Sequence, residues 1–428
     1  MAVLSREAAV DARTTPTTLT AGDRLARRNA LVLAIGQALA GGNNTVLMAT
    51  GGIVGATIAP DRGFATLPIS IYVLGLWLGA LPVGWLARRY GRRTAFQLGT
   101  LCGVLTGLIC FVAVMRGSFL LFNVGAFISG LYASAHVAYR FAAADTASEA
   151  FRPKAISWVL IGGIFAGIIG AQVVIVTKDQ IPAVLFAATY LAQAMLAVVA
   201  GGVLMFLDIP VPPRHQSGGE GRPLREIARQ PRFIVAVACG VASYSMMNLV
   251  MTSAPLAMVM CNHSVRDATL GLQWHVLGMF VPSFITGTLI ARFGTERVIA
   301  TGFALLIASA LISLTGITIW HFWIGLVLLG VGWNFGFIGA TALVTECHRP
   351  NERNRVQAFN DFLVFGSMAL GSFSSGKLLH AAGWSAVNEV VFPTVLAAAA
   401  LLAWGVWRHR RALAEISRVG QTSPRIVE

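Results

Sequence analysis

The sequence predicts an all-α polytopic membrane protein of twelve transmembrane helices in two homologous six-helix halves. Composition is the first observation behind this. Of 428 residues, 56% are hydrophobic and only 12% charged, and mean hydropathy is +0.71. A soluble fold of this size could not hide so much apolar surface, so its solvent is largely lipid. The second observation is a repeat. Thr66 to Gly91 (TLPISIYVLGLWLGALPVGWLARRYG) returns at Thr269 to Gly294 as TLGLQWHVLGMFVPSFITGTLIARFG, with nine of 26 positions identical at a constant offset of 203. That offset is close to half the chain, as expected of two copies of one unit. Each copy is an apolar run of helical length closed by G-x-L-x-x-R-x-G. The glycines permit close packing and a tight turn, and the basic residues mark one membrane edge.

The third observation is the order of elements. Residues 1–27 are polar, rich in Thr, Ala and Arg, and without an apolar core segment. They read as a disordered cytoplasmic tail and not as a signal peptide. Apolar runs long enough to cross a bilayer follow at 29–57, 64–87, 94–115, 118–143, 155–177 and 181–206, so 28–207 forms the first six-helix bundle. The stretch 208–232 (DIPVPPRHQSGGEGRPLREIARQPR) is too polar to cross and reads as a cytoplasmic linker. Further runs at 233–260, 268–290, 296–317, 320–345, 355–377 and 385–407 form the second bundle, 233–408, before a basic tail, 409–428.

Charge fixes the expected orientation. The net charge of +14 lies in short clusters between apolar runs, as the positive-inside rule requires, so no nucleic-acid partner is expected. With the N-terminus inside, cytoplasmic segments carry 26 Lys/Arg against five outside, and Arg140 is left within a span. Both termini are therefore expected in the cytoplasm. The five cysteines show no paired or metal-type spacing, and no metal or cofactor is expected.

Twelve spans, two related halves, a polar central linker and G-x-L-x-x-R-x-G-R-R after span 2 together resemble the major facilitator superfamily of secondary transporters, over nearly the whole chain. The resemblance implies a bacterial-type permease of the inner membrane, expected to be a monomer. It assigns gating roles to Gly84, Gly91 and Arg92, and to Gly287 and Gly294 in the second copy. Arg88 stands where the family usually has an Asp that latches spans 2 and 11. A latch built from Arg92 with Asp145 is the expected replacement; the alternative is that these charges are merely solvated. Span 5 has four glycines but not the Gly-Pro that drug/proton antiporters of the family place there.

Polar groups at membrane depth are costly unless paired or facing a cavity. Asn44 lies deep in span 1 and Asn248 equally deep in span 7, 204 residues later. They either face each other across a central cavity or bond neighbouring helices. Gln37, Tyr132, His136, Arg140, Tyr244, Trp274, His275 and Asn334 complete the candidate substrate site. Arg140 could bind an anion or snorkel, and His275, which replaces Tyr72 of the first copy, could be functional or a bonded core histidine.

Amides and aromatic rings with few fixed charges suit a flat, hydrogen-bond-rich solute, a vitamin or flavin-like metabolite. With no nucleotide-binding motif, a gradient must drive transport, and Asp361 in span 11 is the candidate proton carrier or a substitute latch. The alternatives are a multidrug or metabolite efflux antiporter and a transport-inactive sensor or scaffold. An enzyme is not expected, because neither metal, phosphate nor nucleophile motifs occur.

Overall fold

The computed structural model describes residues 21–148, 151–210, 222–349 and 352–422. Every regular element among them is helical. The first half comprises α1 (Ala21–Ile58), α2 (Leu67–Tyr90), α3 (Arg92–Arg116), α4 (Phe119–Val137), α5 (Tyr139–Asp145), α6 (Arg152–Thr177) and α7 (Ala187–Leu204). After a short α8 (Leu224–Ala228) come α9 (Pro231–Met260), α10 (Val265–Phe280), α11 (Ser283–Phe293), α12 (Thr295–Thr315), α13 (Ile319–Thr345), α14 (Arg353–Glu389) and α15 (Val391–Thr422).

These helices make twelve spans. Span 4 is α4 continued by α5 past Ala138, and span 8 is α10 continued by α11 past Pro282. Arg355–Arg411 is a helical tract of 57 residues, far beyond the roughly 20 that cross a bilayer. It breaks at Gly383 (φ 80°), which divides it into spans 11 and 12.

The repeat is visible in the backbone. Gly91 and Gly294 both sit at φ 89°, with ψ 161° and 151°, and turn span 2 into span 3 and span 8 into span 9. That region of backbone space is open essentially only to glycine. At Gly130 spans 2 and 4 touch backbone to backbone: a Cβ there would lie 2.6 Å from the Leu76 nitrogen. In the second half a Cβ on Gly330 would lie 2.9 Å from the Met279 nitrogen. In lipid, where apolar contact gives no hydrophobic gain, such close approaches are what hold helices together.

The polar ends of several helices meet at one face, called here the terminal face. Asn29 Nδ2 donates to the Asp208 carbonyl (2.7 Å) and its Oδ1 accepts from the Asp208 amide (3.1 Å), tying α1 to the end of span 6. Arg92 Nε donates to Asp145 Oδ2 at 2.9 Å. In the second half Arg232 takes both Glu296 (3.3 Å) and Glu346. Buried Glu352 clasps Arg222: Oε1 accepts from its backbone nitrogen (2.9 Å) and Nε (3.0 Å), and Oε2 from Nη2 (2.8 Å). Those bonds hold the Glu352 carboxyl well below the usual range and raise the Arg222 guanidinium.

The edges differ from the sequence reading. Helix α1 starts at Ala21, ahead of the expected boundary at 28, and Arg28 on it donates from Nη2 to the Phe206 carbonyl (3.1 Å). Residues 224–228 (LREIA) form a helix inside the expected linker, burying Ile227, and α15 runs on to Thr422 through the expected C-terminal tail. The rest of the expected tails (1–20, 423–428) and the linker centre (211–221) lie outside the described residues.

Candidate functional site

Between the halves, the face opposite the terminal one is packed shut. Ser70 and Ser372 share a hydrogen bond (3.1 Å), and Gln172 Nε2 donates to Gln273 Oε1 (3.1 Å). Trp77 meets Phe362 at 4.9 Å nearer the centre. Toward the terminal face the same helix stripes separate. Leu81, one turn on from Trp77, is 80% exposed, and Gly84 has only the Arg88 side chain near its Cβ position. On span 8, Val276 and Phe280 pack on Gly167 and Gly163 of α6. One turn further Phe284 is 54% exposed, and nothing lies within 4 Å of a Cβ on Gly287. The halves are therefore closed at one end and parted at the other.

A cavity of ≈ 190 Å³ lies at the parting, adjoined by a second of ≈ 140 Å³. Gln37, Asn44, His136, Met279 and Phe280 line both. The first half supplies a polar wall. Asn44 Nδ2 donates to His136 Nε2 (2.6 Å), so the proton sits on Nδ1, which donates to Gln37 Oε1 (3.3 Å). Tyr72 reaches Asn44, and Arg140 lines the same space. Arg140 Nε has no hydrogen-bond partner, and the guanidinium rests 4.8 Å from the Phe141 ring. The second half supplies an aromatic wall. Tyr244 meets Trp333 (5.3 Å), Phe337 (4.9 Å) and Phe365 (5.7 Å) edge to face. Asp361 of α14 accepts from Asn360 Nδ2 (3.2 Å) and lies within the field of Arg140.

Of the residues picked from sequence, Gln37, Asn44, His136, Arg140 and Tyr244 converge here. The others do not. Asn248 is buried between α9 and α14, its Nδ2 on the Met368 carbonyl (3.4 Å). Its offset of 204 is one residue off the repeat, and one residue turns a helix by about 100°. Tyr132 is buried within the first half, against Gly103 of α3. His275 is locked by a 2.8 Å bond from Nδ1 to the Leu326 carbonyl, and Trp274 points away, 43% exposed. Asn334 braces the break in span 8, donating to the Met279 carbonyl (2.6 Å) and Ser283 Oγ (2.7 Å), and accepting from Thr286 (2.6 Å). The reading missed Tyr72, Phe280, Phe337 and Phe365 as lining residues. Helical spacing holds a signal for two of them: Phe337 is one turn from Trp333, and Phe365 one turn from Asp361.

Twelve spans in two related halves, with a polar-and-aromatic cavity between them, define a membrane carrier of small solutes and not an enzyme. The family model of the Major Facilitator Superfamily matches residues 33–274 and 262–427, and the chain belongs to that family. It is 49% identical over 372 residues to the riboflavin transporter RfnT of Brucella anthropi, covering 86% of this chain and 94% of that one. It is 28% identical over 383 residues to the uncharacterized MFS-type transporter YdeG of Bacillus subtilis, covering 86% and 89%. Among solved structures the fold is similar to the human organic anion transporter MFSD10, with a TM-score of 0.64 at 15% identity, covering 88% of this chain and 99% of that one. An auto-inhibited POT family peptide transporter gives 0.62 at 12% identity, covering 90% and 97%.

Proposed function

We propose that the protein carries riboflavin or a closely similar flavin across the membrane by alternating access, with both termini in the cytoplasm of a bacterial cell. The observation that carries this is the pairing of walls. An isoalloxazine is a flat ring system with one hydrogen-bonding edge. Tyr244, Trp333 and Phe337 offer ring faces and edges, while Asn44, His136 and Gln37 offer donors and acceptors opposite. The identity to a riboflavin transporter over most of both chains supports the same ligand class. Closure at one face and parting at the other is one of the two end states that such a cycle needs.

In this reading Asp361, which lies within the field of Arg140, is the proton carrier. Protonation removes the attraction between the halves and favours release of the terminal face. The direct test is uptake of labelled riboflavin by proteoliposomes under an imposed pH gradient. Accumulation is expected; no uptake and no quenching of flavin fluorescence by the pure protein overturns the flavin assignment. Asp361→Asn should lose the response to the gradient yet keep exchange with preloaded riboflavin. If that variant still concentrates riboflavin, Asp361 does not carry the proton.

A further inference from the structure

We propose that the groove between α12 and α15 at the terminal face is a binding site for an anionic phospholipid. This site is separate from the solute cavity and does not depend on the flavin assignment. The groove encloses ≈ 840 Å³. Apart from its terminal end the lining is apolar, with Ala300, Ala304 and Ala403 beside Phe303, Ile307 and Leu402, as an acyl chain requires. Its terminal end carries exposed Arg297 and Arg410, with His409 beside them. Glu296 also lines it, but Arg232 engages that carboxylate at 3.3 Å, so the free charge at the mouth is positive.

Depth and chemistry agree. Arg411 lies 3.9 Å over the Trp407 ring and Arg408 5.5 Å over Trp404. Tryptophan with arginine above it is what a helix shows at the headgroup level of a bilayer. Two guanidiniums there suit a phosphodiester, which accepts paired hydrogen bonds from them. Basic pockets between spans on the cytoplasmic side bind anionic headgroups in general.

The first half supplies the contrast. There the corresponding spans, α3 and α7, are drawn together by Gln97 Nε2 donating to the Gly201 carbonyl at 2.8 Å. The exit of α7 reads Met205, Phe206, Leu207, Asp208, without a cation. The first half has cations at this level too, in Arg28, Arg92 and Arg93, but the groove between its spans is bridged by Gln97, so the open groove is a feature of the second half.

The experiment uses the full-length protein in detergent, with native mass spectrometry and thermal melting as readouts. Phosphatidylglycerol should be retained at least several-fold over phosphatidylcholine and should raise the melting temperature, whereas glycerol 3-phosphate should leave it unchanged. Arg297→Gln with Arg410→Gln should abolish the preference while melting like the parent in phosphatidylcholine. Equal retention of the two lipids, an unchanged preference in the double variant, or an equal shift from glycerol 3-phosphate overturns the proposal. Should the double variant melt early, a photoreactive phosphatidylglycerol is applied to the unaltered protein. Crosslinks on α12 and α15 are expected, and crosslinks confined to other helices overturn it.

Discussion

In the first half, Gly130 brings α4 onto the backbone of α2 at Tyr72 and Leu76; in the second, Gly330 brings α13 onto α10 at His275 and Met279. The contact is the same and the side chains beside it are not. Tyr72 faces the cavity, while His275 is buried and bonded to Leu326. The same contrast runs across the site, where one half offers amides, imidazole and guanidinium and the other offers rings. Duplication has kept what sets helix-to-helix distance and changed what a solute meets. In lipid this is physically natural. Backbone approach is a steric condition with few solutions, whereas a cavity wall tolerates any side chain that fills or hydrates it.

The comparison breaks most readily at the paired glycines. Gly130→Val and Gly330→Val should each cost about 3 kcal/mol, the upper end of overpacking, because backbone cannot yield as a side chain can. Thermal melting in one detergent should show both effects within a factor of two. A tolerated substitution in either half would show that its contact is not required.

At the site the halves should diverge. Asn44→Ala and Tyr244→Ala should weaken flavin binding by about 1–3 kcal/mol each, the range for leaving a buried polar partner unpaired or losing ring contact. Asn248→Ala should leave binding unchanged and lower the melting temperature, since its amide bonds Met368. Fluorescence titration beside a melting curve separates these outcomes. Normal binding by Asn44→Ala would remove the polar wall from the argument.

A symmetric effect of similar size is expected at the turns, on stability and not on binding. Gly91→Ala and Gly294→Ala should each cost about 1–3 kcal/mol of backbone strain at φ 89°. Unequal melting shifts would show that one turn relaxes.

The smallest effect lies where the halves share nothing. Glu352, six residues after Glu346, clasps the linker, whereas Phe151, six residues after Asp145 in the first half, lies under the Arg27 guanidinium (5.6 Å). Arg222 lowers the Glu352 carboxyl, so the clasp is complete above the ordinary glutamate value of about 4.3 and is lost as pH falls through the lowered one. Proteolysis at the linker should therefore rise progressively as pH falls below the ordinary glutamate value of about 4.3. In Glu352→Gln it should be fast already at neutral pH, with no acid step. A pH-independent wild-type rate would discount the clasp.

How much of this was legible in sequence depends on range. Spans and the repeat could be read because hydropathy and glycine spacing are local, and membrane crossing leaves few alternatives. The cavity was legible where a residue is polar inside an apolar run, as with Asn44, His136 and Arg140. It was not legible for Phe280 or Phe365, because an aromatic residue in an apolar span carries no mark of the direction it faces. Asn334 and Asn248 failed for the opposite reason. Their polarity is used by neighbouring backbone, and only the fold shows which carbonyl each one meets.

The break in span 8 carries a mechanical consequence. Both repeat copies hold a proline at similar depth, yet α2 runs uninterrupted through Pro82 while its partner divides at Pro282. Helix α10 packs on α13 and α9 of its own half and also on α6 of the other, whereas α11 rests on α12 and α13 of its own half. Span 8 thus bridges from its own half to the other along α10 alone, and Asn334 braces the point where α10 gives way to α11. Under the proposed rocking of the halves, span 8 has at Pro282 a point of compliance that its repeat partner, span 2, lacks. The motion should be lopsided, with span 8 bending and span 2 turning as a rigid rod.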